Sequence, residues 1–296
     1  MRTIVLNRSN LVKDGDNNKL IYQFPGSVQF KNSYLALSQL SMYYSWYNIS
    51  AIYNNNIIQY TWTAGAVSTT YTLTIPDGLY EVAKINEYLQ FALIQNGHYL
   101  VNAGGENVYY LEMLVNPSRY AVQINTFLFP VALPAGFTNP AGVVFPTQSF
   151  NPELILPLSI NEILGYIPNF TTDNNVNNAF VAPAGDDKVS KLANGTISYI
   201  STSAPDLQPN SSILVSVSNI DNKYSQPSSI IYSIVPSVAI GGLINEKVPN
   251  FAWNRLIPGT YNNLRLTLLG TDLQPIKIND PAMTFLLCIR DDDDTT

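Results

Sequence analysis

The chain has 296 residues and a formal net charge of −6; only 12% of its residues are charged, and it contains one His (His98) and one Cys (Cys288). One His leaves little material for a Ser-His-Asp triad or a multi-His zinc site, and one Cys cannot form an intrachain disulfide. An acidic chain with 15 Lys and Arg is also poorly equipped for phosphate contacts, which argues against nucleic acid as its main partner.

Read in chain order, strict alternation of apolar and polar residues dominates. Leu20, Tyr22 and Phe24 alternate ahead of Pro25-Gly26, and Val28 and Phe30 resume the pattern after it. Leu35 and Leu37 lead into Leu40, Met42, Tyr44 and Trp46; the parity changes between 37 and 40, which predicts a β-bulge or a bend. Ile58, Tyr60 and Trp62 alternate, as do Tyr71, Leu73 and Ile75. A helix is predicted over about 79–95, capped by Asp77, with Val82, Ile85, Leu89 and Ala92 or Leu93 on one face and Asn96-Gly97 as its stop.

Strand patterns return at Tyr109–Val115 and Tyr120–Ile124. A short helix is predicted over 159–164, with Ser159 and Glu162 as a capping box and Gly165 as the C-terminal cap. Residues 171–190 are rich in Asn, Ala and Asp and read as a loop. Alternation resumes near Thr196, then in Ile213, Val215 and Val217, in Ile230, Tyr232 and Ile234, and in Leu264, Leu266 and Leu268. The order β, mixed α+β, β describes a mainly β chain: one sandwich made from both ends, with a second unit inserted into it.

Candidate chemistry is sparse. Asp14-Gly15-Asp16-Asn17-Asn18 is rich in oxygen, but Lys19 and Pro25 stand where an EF-hand loop has its Gly and its Glu, so a turn is the better reading. His98 follows a helix stop and is expected to be structural, and Cys288 sits in an apolar run as a small buried hydrophobe. The sequons at Asn48, Asn169 and Asn194 are read as unglycosylated, because Met1–Leu6 is too short for a signal segment and the expected compartment is cytoplasm-like. No apolar run reaches the ~18 residues of a membrane span. No enzyme activity, cofactor or metal is expected. With charge so scarce, the 19 Tyr residues and the Asn, Ser and Thr residues form surfaces suited to packing against protein.

Seven segments in order carry a family character. They are Phe24–Asn32, Met42–Ile49, Asn55–Trp62, Ile75–Gln90, Arg119–Asn125, Ile163–Pro168 and Ser228–Ser233. Together they resemble the penton, or minor capsid, proteins of virophages and Polinton (Maverick) elements, those of mavirus-type virophages above all.

The resemblance implies a single jelly-roll β-sandwich with a smaller inserted domain, the jelly roll covering residues 1–55 and 191–296 and the insertion residues 56–190. It further implies homopentamers at the vertices of an icosahedral double-stranded DNA virophage-like particle, assembled in the host cytoplasm beside a double jelly-roll major capsid protein. The insertion would then face outward, toward a host surface or other virion proteins. Because a ring needs one face of each copy to meet a different face of the next, Tyr43, Tyr44, Trp46, Tyr47 and Trp253 are the candidate aromatic anchors. Alternation sends Tyr44 and Trp46 to one side of their strand and Tyr43 and Tyr47 to the other, so half of them are expected in the core. The N-terminal arm (residues 1–10) and the acidic tail Asp291, Asp292, Asp293 and Asp294 are candidates for contacts with neighbouring capsomers or the capsid interior. Two other readings stay open: a β-sandwich attachment or carbohydrate-binding module, and a carbohydrate-active enzyme with paired carboxylates.

Overall fold

The computed structural model describes residues 1–12, 17–157, 159–207, 212–239 and 241–292. The chain divides into two compact units, Met1–Tyr47 with Gln208–Thr296, and Asn48–Leu207.

The first strands of the discontinuous unit are β1 (Arg2–Leu6), β2 (Lys19–Phe30) and β3 (Ser33–Tyr43). The inserted unit supplies β4 (Ile57–Ala64), β5 (Val67–Thr74), α1 (Val82–Gln95), β6 (Leu100–Val101), β7 (Asn107–Val108), β8 (Leu111–Asn116) and β9 (Ala121–Thr126). It continues with β10 (Glu153–Leu156), α2 (Ile160–Leu164), β11 (Phe170–Thr171), β12 (Val189–Lys191) and β13 (Ile197–Ile200). The chain then returns to the first unit as β14 (Ile213–Val217), β15 (Ile230–Ile234), β16 (Leu243–Lys247), β17 (Asn254–Arg255), β18 (Gly259–Leu269) and β19 (Thr284–Asp291).

Two antiparallel sheets build the discontinuous unit, in the orders β1-β19-β3-β16 and β15-β14-β18-β2, and the two-residue β17 also pairs with β3. Setting β17 aside and counting this unit's strands in chain order, the sheets run first-eighth-third-sixth and fifth-fourth-seventh-second. That interleaving is the jelly roll, two Greek keys wound into a sandwich. The core lies between the sheets: Leu6, Leu35, Leu40, Met42, Phe285 and Leu287 come from one, and Leu20, Phe30, Val215, Leu264, Leu266 and Leu268 from the other. At one edge the Tyr232 hydroxyl donates to Glu246 Oε1 at 2.7 Å, tying β15 of one sheet to β16 of the other. This bond is the largest cause of the Tyr232 hydroxyl's rise to a pKa of about 12.

The parity change in β3 is a bulge. Leu286 pairs with Gln39 and Leu287 with Leu37, so Ser38 is the extra residue, and Leu37 and Leu40 both point inward. A second bulge in β15 overturns the simple alternation expected there. Val215 faces Tyr232 while Ser216 faces Ile230, which turns Ile231 inward beside Ile234. The two patterns flanking Pro25-Gly26 belong to one strand, β2, whose register shifts opposite β18 between Tyr261 and Asn263.

The inserted unit contains the sheets β11-β10-β4-β5 and β12-β13-β9-β8 and the small β6-β7 ribbon. Helix α1 buries Val82, Ile85, Leu89 and Leu93. Its stop is a Schellman motif: the His98 N–H donates to Leu93 O at 2.8 Å and the Gly97 N–H to Ile94 O at 3.0 Å, with Gly97 at φ +69°. Its start differs from expectation. Glu81 precedes the first turn, and Asp77 instead accepts from the Ser50 hydroxyl (2.9 Å) and the Ala51 N–H (2.8 Å). Helix α2 ends at Gly165 as the sequence indicates, but Ser159, at φ 81°, makes no capping bond.

The unit boundaries fall at 47 and 207, where the sequence suggested 55 and 190. Residues 197–200 stay with the insertion because β13 pairs with β9 across four residues. Asn48 closes the inserted unit on itself. Its Nδ2 donates to Tyr80 O (2.7 Å) and Leu207 O (2.9 Å), and its Oδ1 accepts from the Tyr80 N–H (2.8 Å). Its burial and these bonds make Asn48, a sequon position in the sequence, the clasp between the unit's two ends.

Candidate assembly interface

The outward face of sheet β1-β19-β3-β16 is where the candidate aromatic residues meet the surface. Beyond the Ser38 bulge, Gln39, Ser41 and Tyr43 point outward while Leu40 and Met42 point in. Strand register sets their neighbours: Val5 lies beside Leu286, Leu286 beside Gln39, and Gln39 beside Lys247. The next row is Thr284, Ser41 and Asn245, and Tyr43 faces Leu243. Of these side chains only Lys247 carries a charge. Tyr43 is 46% exposed and Leu243 48%, an aromatic–aliphatic pair left open on the face. Charge depletion with exposed aromatic and aliphatic side chains is the composition of an interface core.

A residue the sequence analysis missed holds Tyr43 in place. Asp280 is buried; its Oδ2 accepts from the Tyr43 N–H at 2.6 Å and its Oδ1 from the Ala282 N–H at 2.7 Å. The signal was present in Asn279-Asp280-Pro281-Ala282, since an Asp ahead of Pro forms an Asx turn with the backbone two residues on.

Tyr44 and Trp46 are not available as anchors. They are buried and stacked on each other with ring centroids 4.0 Å apart, and burial raises the Tyr44 hydroxyl above its ordinary pKa. Alternation from Tyr43 sends both side chains inward. Tyr47 is half-buried, with Lys277 Nζ 5.3 Å from its ring centroid. Trp253 is also half-buried. It holds the Arg290 guanidinium at 4.6 Å and meets Phe251 edge-on at 5.4 Å, while Arg290 also reaches Tyr34 at 5.4 Å. Tyr43 is therefore the most open of the five.

The acidic tail begins inside the fold. Asp291 ends β19 in register with Ser33, and its carboxylate binds both the Ser33 hydroxyl and Arg2. The Asp292 N–H donates to Asn32 O at 2.9 Å. Asp293 and Asp294 lie outside the described residues, as do Asp14, Gly15 and Asp16 of the oxygen-rich turn. The first part of the N-terminal arm is strand β1, paired with β19 throughout.

Away from this face, His98 sits within the inserted unit's aromatic core. Its ring stacks on Trp62 (4.4 Å, 9°) and meets Tyr60 and Tyr71 edge-on. Asn96 Nδ2 donates to the Tyr60 hydroxyl (2.8 Å), which lies 2.9 Å from His98 Nδ1. With the Tyr60 O–H donating, Nδ1 is the acceptor and the neutral ring carries its proton on Nε2. Burial lowers its pKa to about 4. Cys288 is buried on β19 opposite Ala36. Among the described residues no group of three or more His, Cys, Asp or Glu side chains is placed to hold a metal, and no helix is long and apolar enough to cross a membrane.

No protein-family model matches the chain, and neither does any curated protein. Among solved structures the chain is similar to a crystal structure of the mavirus penton protein, at 9% identity and a TM-score of 0.39, with 98% of either chain covered. It is likewise similar to a chain in the cryo-EM structure of the Sputnik virophage, at 9% identity and a TM-score of 0.41, covering 100% of this chain and 99% of the other.

Proposed function

We propose that this chain is a non-enzymatic capsid protein whose copies close into pentameric vertices of a virophage-like particle, beside a double jelly-roll major capsid protein. The observation that carries the reading is the jelly roll itself, a shell-building sandwich, with an outward sheet face whose rows around Tyr43 and Leu243 carry a single charge, Lys247. Such a face loses little on burial against another copy, because few ions must be stripped of water. A ring of five is heterologous, so the Tyr43–Leu243 face meets a different surface of the next copy. The inserted unit, built between the third and fourth strands of the roll, is the part free to address a host surface or other virion proteins.

The test is co-expression with a double jelly-roll major capsid protein, followed by particle purification. The chain should co-purify with closed particles, and imaging should place it at five-fold positions. Particles that close without the chain, leaving it entirely in the soluble fraction, contradict the proposal. Retention of the free chain on immobilised glycans, without any ring, supports an attachment module instead.

A further inference from the structure

Strand β5 is an edge strand of its sheet, eight residues long, and six of them are exposed: Val67, Ser68, Thr69, Thr70, Thr72 and Thr74. Edge strands are ordinarily blunted by Lys, by Pro, by a bulge or by a covering loop. β5 contains no charged residue and no Pro, and its pairing with β4 runs unbroken through all eight residues, from Ile57 with Thr74 to Ala64 with Val67.

The hydrogen-bond phase of this ribbon is fixed at its end, where the Ile75 N–H donates to Asn56 O at 2.7 Å. Antiparallel pairs alternate between bonded and non-bonded, so Leu73, Tyr71, Thr69 and Val67 turn their backbone groups toward β4. Thr74, Thr72, Thr70 and Ser68 turn theirs outward. The Tyr88 hydroxyl agrees with this phase, since it donates to Thr74 O from outside at 2.8 Å. Among the described residues, no protein partner meets the outward backbone groups of Ser68, Thr70 and Thr72.

We infer that this edge is a self-pairing site: β5 of one copy adds antiparallel to β5 of a second copy about a two-fold axis through Thr70. In this register Thr70 faces Thr70 of the second copy, and Ser68 faces its Thr72. Each strand offers three free N–H and three free C=O groups, so six hydrogen bonds satisfy every one of them. Charge does not oppose the pairing, because Thr69 meets Tyr71 and Val67 meets Leu73 on the other face. Opposed Thr and Ser side chains are themselves favourable cross-strand neighbours.

One strand pair buries less than the ~1,200 Å² of a standard stable interface. Association of single chains is therefore concentration-dependent, and it strengthens where several copies meet at once. This two-fold contact is independent of the five-fold one proposed above, which joins unlike surfaces.

The test uses the full chain. Pro at an outward-facing position of an edge strand removes only a free N–H, so T70P should fold with an unchanged circular dichroism spectrum and lose concentration-dependent pairing in sedimentation velocity. Any five-membered ring should persist in T70P, which separates the two contacts. Cross-linking reads the register: oxidised T70C should give covalent pairs, since directly opposed residues lie within disulfide reach. S68C and T72C should each stay uncrosslinked, and the S68C/T72C double variant should cross-link. Pairing by T70P at the wild-type concentration, or S68C cross-linking as readily as T70C, overturns the inference. So does a T70C chain that stays uncrosslinked at the highest soluble concentration.

Discussion

Acidification from pH 7.5 to 5 should weaken the inserted unit through His98, against a smaller opposing contribution from Glu153, whose carboxyl burial holds above its ordinary pKa. In the folded chain the His98 pKa lies at about 4, against 6.5 for a free imidazole, because the ring is buried between Trp62 and the Tyr60 hydroxyl. Between these values the unfolded chain takes up a proton that the folded chain refuses, so the unfolded state binds more protons and stability rises with pH. Above 6.5 neither state is charged at this site, and the full contribution is present. At pH 5 the linkage amounts to about 2 kcal/mol, from 1.36 kcal/mol per unit of pKa difference. The loss levels off near 3 kcal/mol once the folded ring also protonates below pH 4.

Urea unfolding followed at 222 nm measures this directly, since both α-helices among the described residues lie in the inserted unit. H98F should be less stable at pH 7.5, because the Tyr60 O–H loses its acceptor, at a cost of about 1–3 kcal/mol. It should also lose the fall in stability between pH 7.5 and 5. A wild-type midpoint that stays flat across that window, or an H98F variant with an undiminished slope, would refute the assignment.

Three further outcomes follow from the same contacts. The Tyr44 hydroxyl is buried with no hydrogen-bond partner among the described residues, so Y44F should unfold at equal or higher denaturant, gaining up to about 1 kcal/mol; a clear loss would mean the phenol is paired. N48A leaves Tyr80 and Leu207 without their side-chain partner, which should cost the inserted unit roughly 2–3 kcal/mol in chemical denaturation. Little or no loss would show that the clasp is dispensable. Y43K and L243K lie on the open sheet face and should leave unfolding within about 0.5 kcal/mol of wild type. Both should abolish ring formation in light scattering, and rings that persist in both variants would exclude this face from the five-fold contact.

The jelly roll was legible wherever local periodicity carried it. Leu264, Leu266 and Leu268 alternate and are buried, and the parity change before Leu40 marked the Ser38 bulge. The β15 bulge was not legible, because Ile230 to Ile234 alternates acceptably in either register and the choice is made by β14. Partnership across long stretches of chain was also hidden. Residues 191–207 look like any strand region, and only pairing with β9 assigns them to the insertion. Asp291 read as part of an acidic tail available to neighbouring capsomers, yet Ser33 and Arg2, more than 250 positions earlier, bind it. Among the candidate anchors, alternation sorted Tyr44 and Trp46 from Tyr43, whereas the Asp280 contact that fixes Tyr43 depends on a turn more than 200 residues away.

The most direct test of the vertex reading is the native mass of the purified chain, measured by light scattering with negative-stain imaging of the same peak. Rings with five times the 32.8 kDa chain mass and five-fold class averages are expected. A strictly monomeric species that also fails to join particles formed by the major capsid protein would contradict that reading.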